Sequence, residues 1–256
     1  MSALGFGWLT ARPIAHRGLH DASLGRIENT LGAADAAIAG DFAIECDVRL
    51  SSDGEAVVFH DATLDRLMQA SGAVGARTVG ELCGLCFQAG PERIPTLPEF
   101  LAHLAGRAPL ICEIKSHFDG DMRLTDRVAG LAADYSGPLA LKSFDPEVIA
   151  RLRGRGVALP LGMVAEASYE GDYWWELSGK QKQDCAAFLH YPRTRPDFVS
   201  WSVDDLPHPT PTLLRLLAGL PVMAWTVRTA EQKRRARLWA EQIVFEGRPD
   251  DGSPGS

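Results

Sequence analysis

Nowhere does this chain of 256 residues run ~18 apolar residues together, so no segment reads as a membrane-spanning helix and stable membrane insertion is not expected. Its opening, MSALGFGWLTARPIAHRG, lacks a basic stretch followed by a continuous apolar one, so it does not read as a secretion signal, and a cytoplasmic location is expected. Positive charge is in deficit: 26 Lys and Arg stand against 33 Asp and Glu, a formal net charge of −7. The surface therefore lacks the basic field that nucleic-acid binders use, and nucleic acid is excluded as a partner class. Cysteine is scarce. Five scattered cysteines, an odd number in a chain without a secretion signal, argue against a disulfide framework. Cys83 and Cys86 have no second pair and sit in the amphipathic run ELCGLCF, so they read as core-facing rather than as a metal or redox pair.

What is present is a steady alternation. Apolar residues make up 46% and charged residues 23%, an ordinary balance for a folded protein, and the length suits one large domain, placed at residues 1–247. Short apolar or β-branched runs recur between longer helical stretches, the pattern of parallel strands joined by crossover helices. Eight candidate strands follow in order: Pro13–His16, Ala43–Leu50, Pro109–Lys115, Leu139–Phe144, Pro160–Val164, Phe198–Val203, Pro221–Val227 and Gln242–Glu246. Eight β/α units in this length predict an α/β fold, a distorted (β/α)8 TIM-like barrel with its site at the C-terminal strand ends. A doubly wound open sheet is the alternative.

A further extended run, Glu55–His60, follows strand two after Asp53-Gly54, a strong hairpin signal, and is expected to fold back over the barrel mouth. Residues 61–95 read as a small cap on the same face. The basic run Lys233–Arg237 reads as a solvated helix face, and the tail Gly247–Ser256 is expected to fray.

In Ile44-Glu45-Cys46-Asp47-Val48 a period of two puts Glu45 and Asp47 on one face, and Glu113 and Lys115 repeat the pattern in strand three. At the ends of two barrel strands these carboxylates would converge, and their mutual repulsion calls for a cation. An all-oxygen donor set points to one hard divalent ion, Mg²⁺ or Ca²⁺, held by Glu45, Asp47 and Glu113. His16 closes the first strand and His60 closes the hairpin. Two imidazoles beside three carboxylates suit acid and base chemistry near neutral pH, while Arg17 and Lys115 offer fixed positive charge to an anionic phosphoryl group.

These residues resemble a known family. HRG at 16–18, Glu28-Asn29-Thr30, ECDV at 45–48, Asp53-Gly54, VVFHD at 57–61, Leu64-Asp65-Arg66, IPTL at 94–97, EIK at 113–115, SFDP at 143–146 and WTV at 225–227 are similar, in order, to glycerophosphodiester phosphodiesterases. The resemblance implies a distorted barrel with His16 and His60 as the acid/base pair, a metal on Glu45, Asp47 and Glu113, and phosphate held by Arg17 and Lys115. It also implies that Phe144 and Trp225 line the glycerol or alcohol side. The expected reaction is metal-dependent hydrolysis of a small phosphodiester to glycerol phosphate and an alcohol. Two alternatives stay open: a phospholipase D-like lyase that makes a cyclic phosphate from lysolipids, and a catalytically silent barrel that binds a phosphorylated ligand. Sequence leaves open which His is the base, the oligomeric state, and the role of Glu246, which stands where many members have Asp. Ile27 replaces a Pro usual before the Glu-Asn-Thr triplet, a change expected to alter loop stiffness. Tyr173-Trp174-Trp175, after strand five, is expected to wall the pocket, touch lipid or pack beneath its loop.

Overall fold

The computed structural model describes residues 6–171 and 174–247. Its strands are β1 (Ile14–Ala15), β2 (Ala43–Leu50), β3 (Ala56–Val58), β4 (Leu110–Ile114), β5 (Leu139–Ser143), β6 (Leu161–Ala165), β7 (Phe198–Ser202), β8 (Val222–Val227) and β9 (Gln242–Phe245). All eight expected barrel strands are among them. They run parallel around the ring β1-β2-β4-β5-β6-β7-β8-β9, and β1 closes it by pairing with β2 through Ile14–Ala43 and with β9 through Ile14–Val244. Closure rules out the doubly wound open sheet. The ninth strand, β3, is the expected hairpin partner of β2, paired antiparallel at Val48–Val58 and Leu50–Ala56.

Two apolar layers make the barrel. Strand residues facing outward, such as Ile44, Cys46, Cys112, Leu141 and Trp201, pack against the surrounding helices in the main core. The helices of the described residues are α1 (Leu31–Ala39), α2 (Val79–Gly84), α3 (Leu97–Leu104), α4 (Arg123–Ala133), α5 (Pro146–Gly154), α6 (Gly179–Ala186), α7 (Tyr191–Thr194), α8 (Pro209–Ala218) and α9 (Ala230–Trp239). Threonine hydroxyls cap α1, α3 and α9 by accepting from the third backbone N–H of each helix. Inside the ring, Ile14, Ala43, Ile111, Ala140, Phe198, Met223 and Val244 form a second core, plugged below by Leu9. At Gly162 a side chain would meet the Phe198 ring at 2.2 Å, so β6 is glycine where β7 fills the interior.

This inner set fixes the phase of everything above it. Side chains two and four residues further along each strand point the same way, and on four strands the interior there changes from apolar to charged: His16 above Ile14, Glu45 and Asp47 above Ala43, Glu113 and Lys115 above Ile111, Lys142 above Ala140.

The ring is distorted at β8. Ala224 pairs with Ile243 but Val227 with Phe245, so β8 carries an extra residue against β9, and the bulge falls at Trp225-Thr226. The 61–95 segment has a core of its own, Leu64, Met68, Val74, Leu82, Phe87 and Ile94 packed on Val57 and Phe59 of the hairpin. Ile27 is buried in this cluster, which gives a packing reason for its departure from proline. Leu82 and Phe87 supply the apolar face of ELCGLCF. Cys83 and Cys86 are only half-buried, so the core-facing expectation is corrected: the short helix α2 (Val79–Gly84) turns its leucine inward and leaves the thiols at its edge. On α9, Ala236 is buried and Arg235 pairs with Asp204 and Glu231, a largely solvated face as expected. Tyr173 and the tail beyond Gly247 lie outside the described residues.

Candidate active site

The barrel mouth holds a cleft of about 480 Å³ lined by His16, Arg17, His60, Glu113, Lys115, Phe144 and Trp225, seven of the nine residues singled out from sequence. The other two, Glu45 and Asp47, are fully buried in its floor.

Local backbone puts each group in place. His16-Arg17-Gly18 turns sharply off β1 with Arg17 at φ 58° and Gly18 at φ 78°. Any side chain at Gly18 would sit 2.8 Å from Ala33, so only glycine lets α1 pack there. The triplet Glu28-Asn29-Thr30 then divides three tasks. Glu28 accepts a 2.7 Å hydrogen bond from the Arg17 guanidinium. Asn29 exchanges two hydrogen bonds with Asp47, donating to Oδ2 at 3.0 Å and accepting from its N–H at 3.1 Å. Thr30 caps α1. From the hairpin side, Arg49 donates to the His60 carbonyl at 2.7 Å, and Arg66 joins Asp61 to Glu28.

Oxygens of Glu45, Asp47 and Glu113 all lie within 4.8 Å of one another, and all three residues are buried. Such proximity is tolerable only with compensating charge. Lys142 Nζ sits 3.0 Å from Glu45 and 3.2 Å from Glu113; Lys115 Nζ sits 2.9 Å from Asp47 and also pairs with Glu113; Arg17 Nε is 3.3 Å from Asp47. Burial alone would raise the Glu113 carboxyl, but the two lysines outweigh it and bring it down to about 2. Burial likewise disfavours the Lys142 ammonium, and Glu45 and Glu113 more than offset that, so its pKa rises.

Both imidazoles are held from behind by a carboxylate. His16 Nδ1 lies 2.5 Å from Glu246 Oε1, and His60 Nδ1 lies 2.7 Å from Asp61 Oδ1. A carboxylate at Nδ1 favours the tautomer that keeps its proton there and leaves Nε2 for chemistry. Burial pushes Glu246 upward, yet its hydrogen bonds from His16 and Arg228 win and hold it far below the usual carboxylate range. Asp61 is held low in the same way by His60 and Arg66.

The far wall is aromatic. Phe144 lies 5.0 Å from Trp174 and 5.4 Å from Trp225 between ring centroids, the second pair edge to face. Trp174 is buried among Tyr169, Leu177 and Cys185, whereas Trp175 is exposed, so the two tryptophans part: one walls the cleft and the other meets solvent.

The family model for glycerophosphoryl diester phosphodiesterases matches residues 16–250. The chain belongs to this family. It is 29% identical over 244 residues to the Bacillus subtilis protein YhdW, named as a glycerophosphodiester phosphodiesterase, with 89% of each chain covered. It is 28% identical to human glycerophosphodiester phosphodiesterase 1, covering 86% of this chain and 72% of that one. Among solved structures, its fold is similar to an Oleispira antarctica phosphodiesterase in complex with the product sn-glycerol-3-phosphate, with TM-score 0.73, 21% identity and 91% of each chain covered.

For a member of this phosphodiesterase family the acidic floor is able to hold a divalent cation. Glu45 Oε1 and Asp47 Oδ1 are buried and have no hydrogen-bond donor aligned on them, although the lysine ammoniums lie nearby as ion pairs. Buried oxygens in that condition are ready ligands.

Lys142 and Glu166 are among the cleft residues that escaped the sequence reading, and Glu246, behind His16, was read only in part. Lys142 and Glu166 were both in phase with the inner core, four or fewer residues beyond Ala140 and Gly162, so counting outward from the buried interior finds them. Glu246 was noticed without a role. Its partner is 230 residues away, and no local signal connects the two.

Proposed function

We propose that the protein hydrolyses glycerophosphodiesters to glycerol phosphate and an alcohol, with His16 and His60 as the acid/base pair. The observation that carries this reading is that both imidazoles border one cleft with Nδ1 engaged by a carboxylate, directly above the Glu45, Asp47 and Glu113 cluster.

A phosphodiester anion repels its attacker, so charge must be neutralised where it grows. Glu45, Asp47 and Glu113 would hold a divalent ion, which would supply Lewis-acid stabilisation of the phosphoryl oxygens, and their all-oxygen donor set favours Mg²⁺ or Ca²⁺. Arg17, steadied by Glu28, adds a fixed guanidinium beside that cluster, and Lys115 adds an ammonium. One imidazole takes the proton of the attacking oxygen, and the other delivers a proton to the leaving alcohol. Glu246 and Asp61 keep the two rings oriented and stabilise each one as it becomes cationic. Phe144 and Trp225 shape the side of the cleft that takes the organic part of the substrate. No helix among the described residues is long and apolar enough to cross a membrane.

The test is to incubate purified protein with glycerophosphocholine, glycerophosphoethanolamine and a lysolipid, each with Mg²⁺, Ca²⁺ or chelator, and to follow products by phosphorus NMR. Glycerol phosphate formed only with metal is the expected result. Cyclic phosphate as the end product would replace this reading with the lyase, and binding without turnover would replace it with a silent barrel.

A further inference from the structure

Among the described residues, one carboxylate at the mouth has no counter-charge. Glu166 follows β6 directly, lines the catalytic cleft, and is half-buried. Its Oε1 accepts a 2.5 Å hydrogen bond from the Trp174 indole N–H, and its other oxygen takes part in no hydrogen bond among the described residues. Three other charged groups near this wall are already matched. Arg228 is held by Glu246 at 2.7 Å, Glu170 pairs with Lys182 at 3.3 Å, and Asp204 is met by Gln232 at 3.0 Å and Arg235 at 3.8 Å. No cation pairs with Glu166 among the described residues, and Asp205 adds a further negative charge nearby. Burial and that neighbour push its carboxyl upward, a cost that a bound positive charge would relieve.

Trp174 touches this carboxylate, and the rings of Phe144 and Trp225, which pack together, line the same cleft. Aromatic faces beside an unmatched carboxylate make a recognised environment for an organic ammonium, which gains from the ring quadrupoles without giving up many hydrogen bonds. An uncharged alcohol gains only shape from such a wall.

Resting on the hydrolytic reading above, we propose that Glu166 is a specificity-determining residue that, with Phe144, Trp174 and Trp225, selects diesters whose alcohol carries an ammonium group. The Glu45, Asp47 and Glu113 side then receives the phosphoryl group, and the β6–β8 side receives the cationic alcohol.

The test compares kcat/KM of the metal-loaded enzyme for glycerophosphocholine with that for its 3,3-dimethylbutyl analogue, in which carbon replaces the ammonium nitrogen at the same shape. The wild type is expected to favour the choline diester by about tenfold, the scale of a partly desolvated cation–aromatic contact. Glu166→Gln, which keeps a hydrogen-bond acceptor for Trp174, is expected to bring the ratio to within about twofold, and Glu166→Asp to retain most of it. A wild-type ratio near one, or a ratio unchanged in Glu166→Gln, overturns the proposal. An equal fall for both substrates also overturns it, because that result assigns Glu166 to the glycerol hydroxyls. Choline chloride titrated against tryptophan fluorescence separates this inference from the hydrolytic reading. If no diester is turned over, saturable quenching in the wild type that weakens at least fivefold in Glu166→Gln upholds the cation site alone, and its absence removes it. Circular dichroism melts confirm that each variant is folded.

Discussion

The two walls of the cleft are built on different principles. On the β1, β2, β4 and β5 side the charged groups answer one another: three carboxylates lie against Lys115, Lys142 and Arg17, and each histidine has its own acid. On the β6 and β8 side the contacts are between rings, and the one half-buried carboxylate has no matching cation among the described residues. The first wall is held together by its own ion pairs. On the proposed hydrolytic reading it suits the invariant part of a substrate, the phosphoryl group, whereas the second suits the part that varies.

The sharpest way to break the contrast is to empty the charged wall of its proton carriers. His60→Ala is expected to lower kcat by about 10²–10⁴-fold with little change in KM, measured by steady-state release of glycerol phosphate. Undiminished turnover would sink the acid/base assignment. Next, Lys142→Met leaves Glu45 and Glu113 facing each other without their ammonium. Removing one partner of a buried charge group costs about 3–5 kcal/mol, so metal-free protein should melt markedly lower, and added Mg²⁺ or Ca²⁺ should recover much of that loss. Melts by scanning calorimetry with and without metal read both effects; a variant whose melting ignores metal would show that Lys142 does not share the cation's role. Glu246→Gln spares the His16 ring but weakens its hold, and a loss of about 10–100-fold in kcat is expected, smaller than removing an imidazole. On the aromatic wall, Trp225→Ala should act mainly on KM, with kcat/KM down about tenfold or less. If Trp225→Ala cost as much kcat as Glu246→Gln, the division of labour between the walls would fail.

How much of this was legible in sequence follows the same division. Glu45, Asp47 and Glu113 were readable because two carboxylates alternating with apolar residues inside buried strands have few peaceful explanations. The eight strands, the hairpin and the two histidines came from spacing and turn chemistry in the same way. Lys142 was passed over because a lone lysine between Leu141 and Ser143 looks like an edge position until the phase of Ala140 is known to be inward. Glu166 stands one residue past its strand, where polar residues are ordinary. Ile27 looked like a change in loop stiffness, yet its side chain anchors the small core beneath the cap. Cys83 and Cys86 were misplaced because a six-residue helix is too short for periodicity to fix which side faces in.

The contact between His16 and Glu246 has a consequence for the order in which this molecule becomes competent. His16 leaves the ribosome some 230 residues before the acid that steadies it, and the strand that acid follows is the one that shuts the ring against β1. A nascent chain can gather its acidic floor from β2 and β4 early, since those strands are close in sequence and adjacent in space. Its first imidazole stays unanchored until β9 is in place. Placement of β9 thus does two things at once: it closes the ring and brings a carboxylate behind His16.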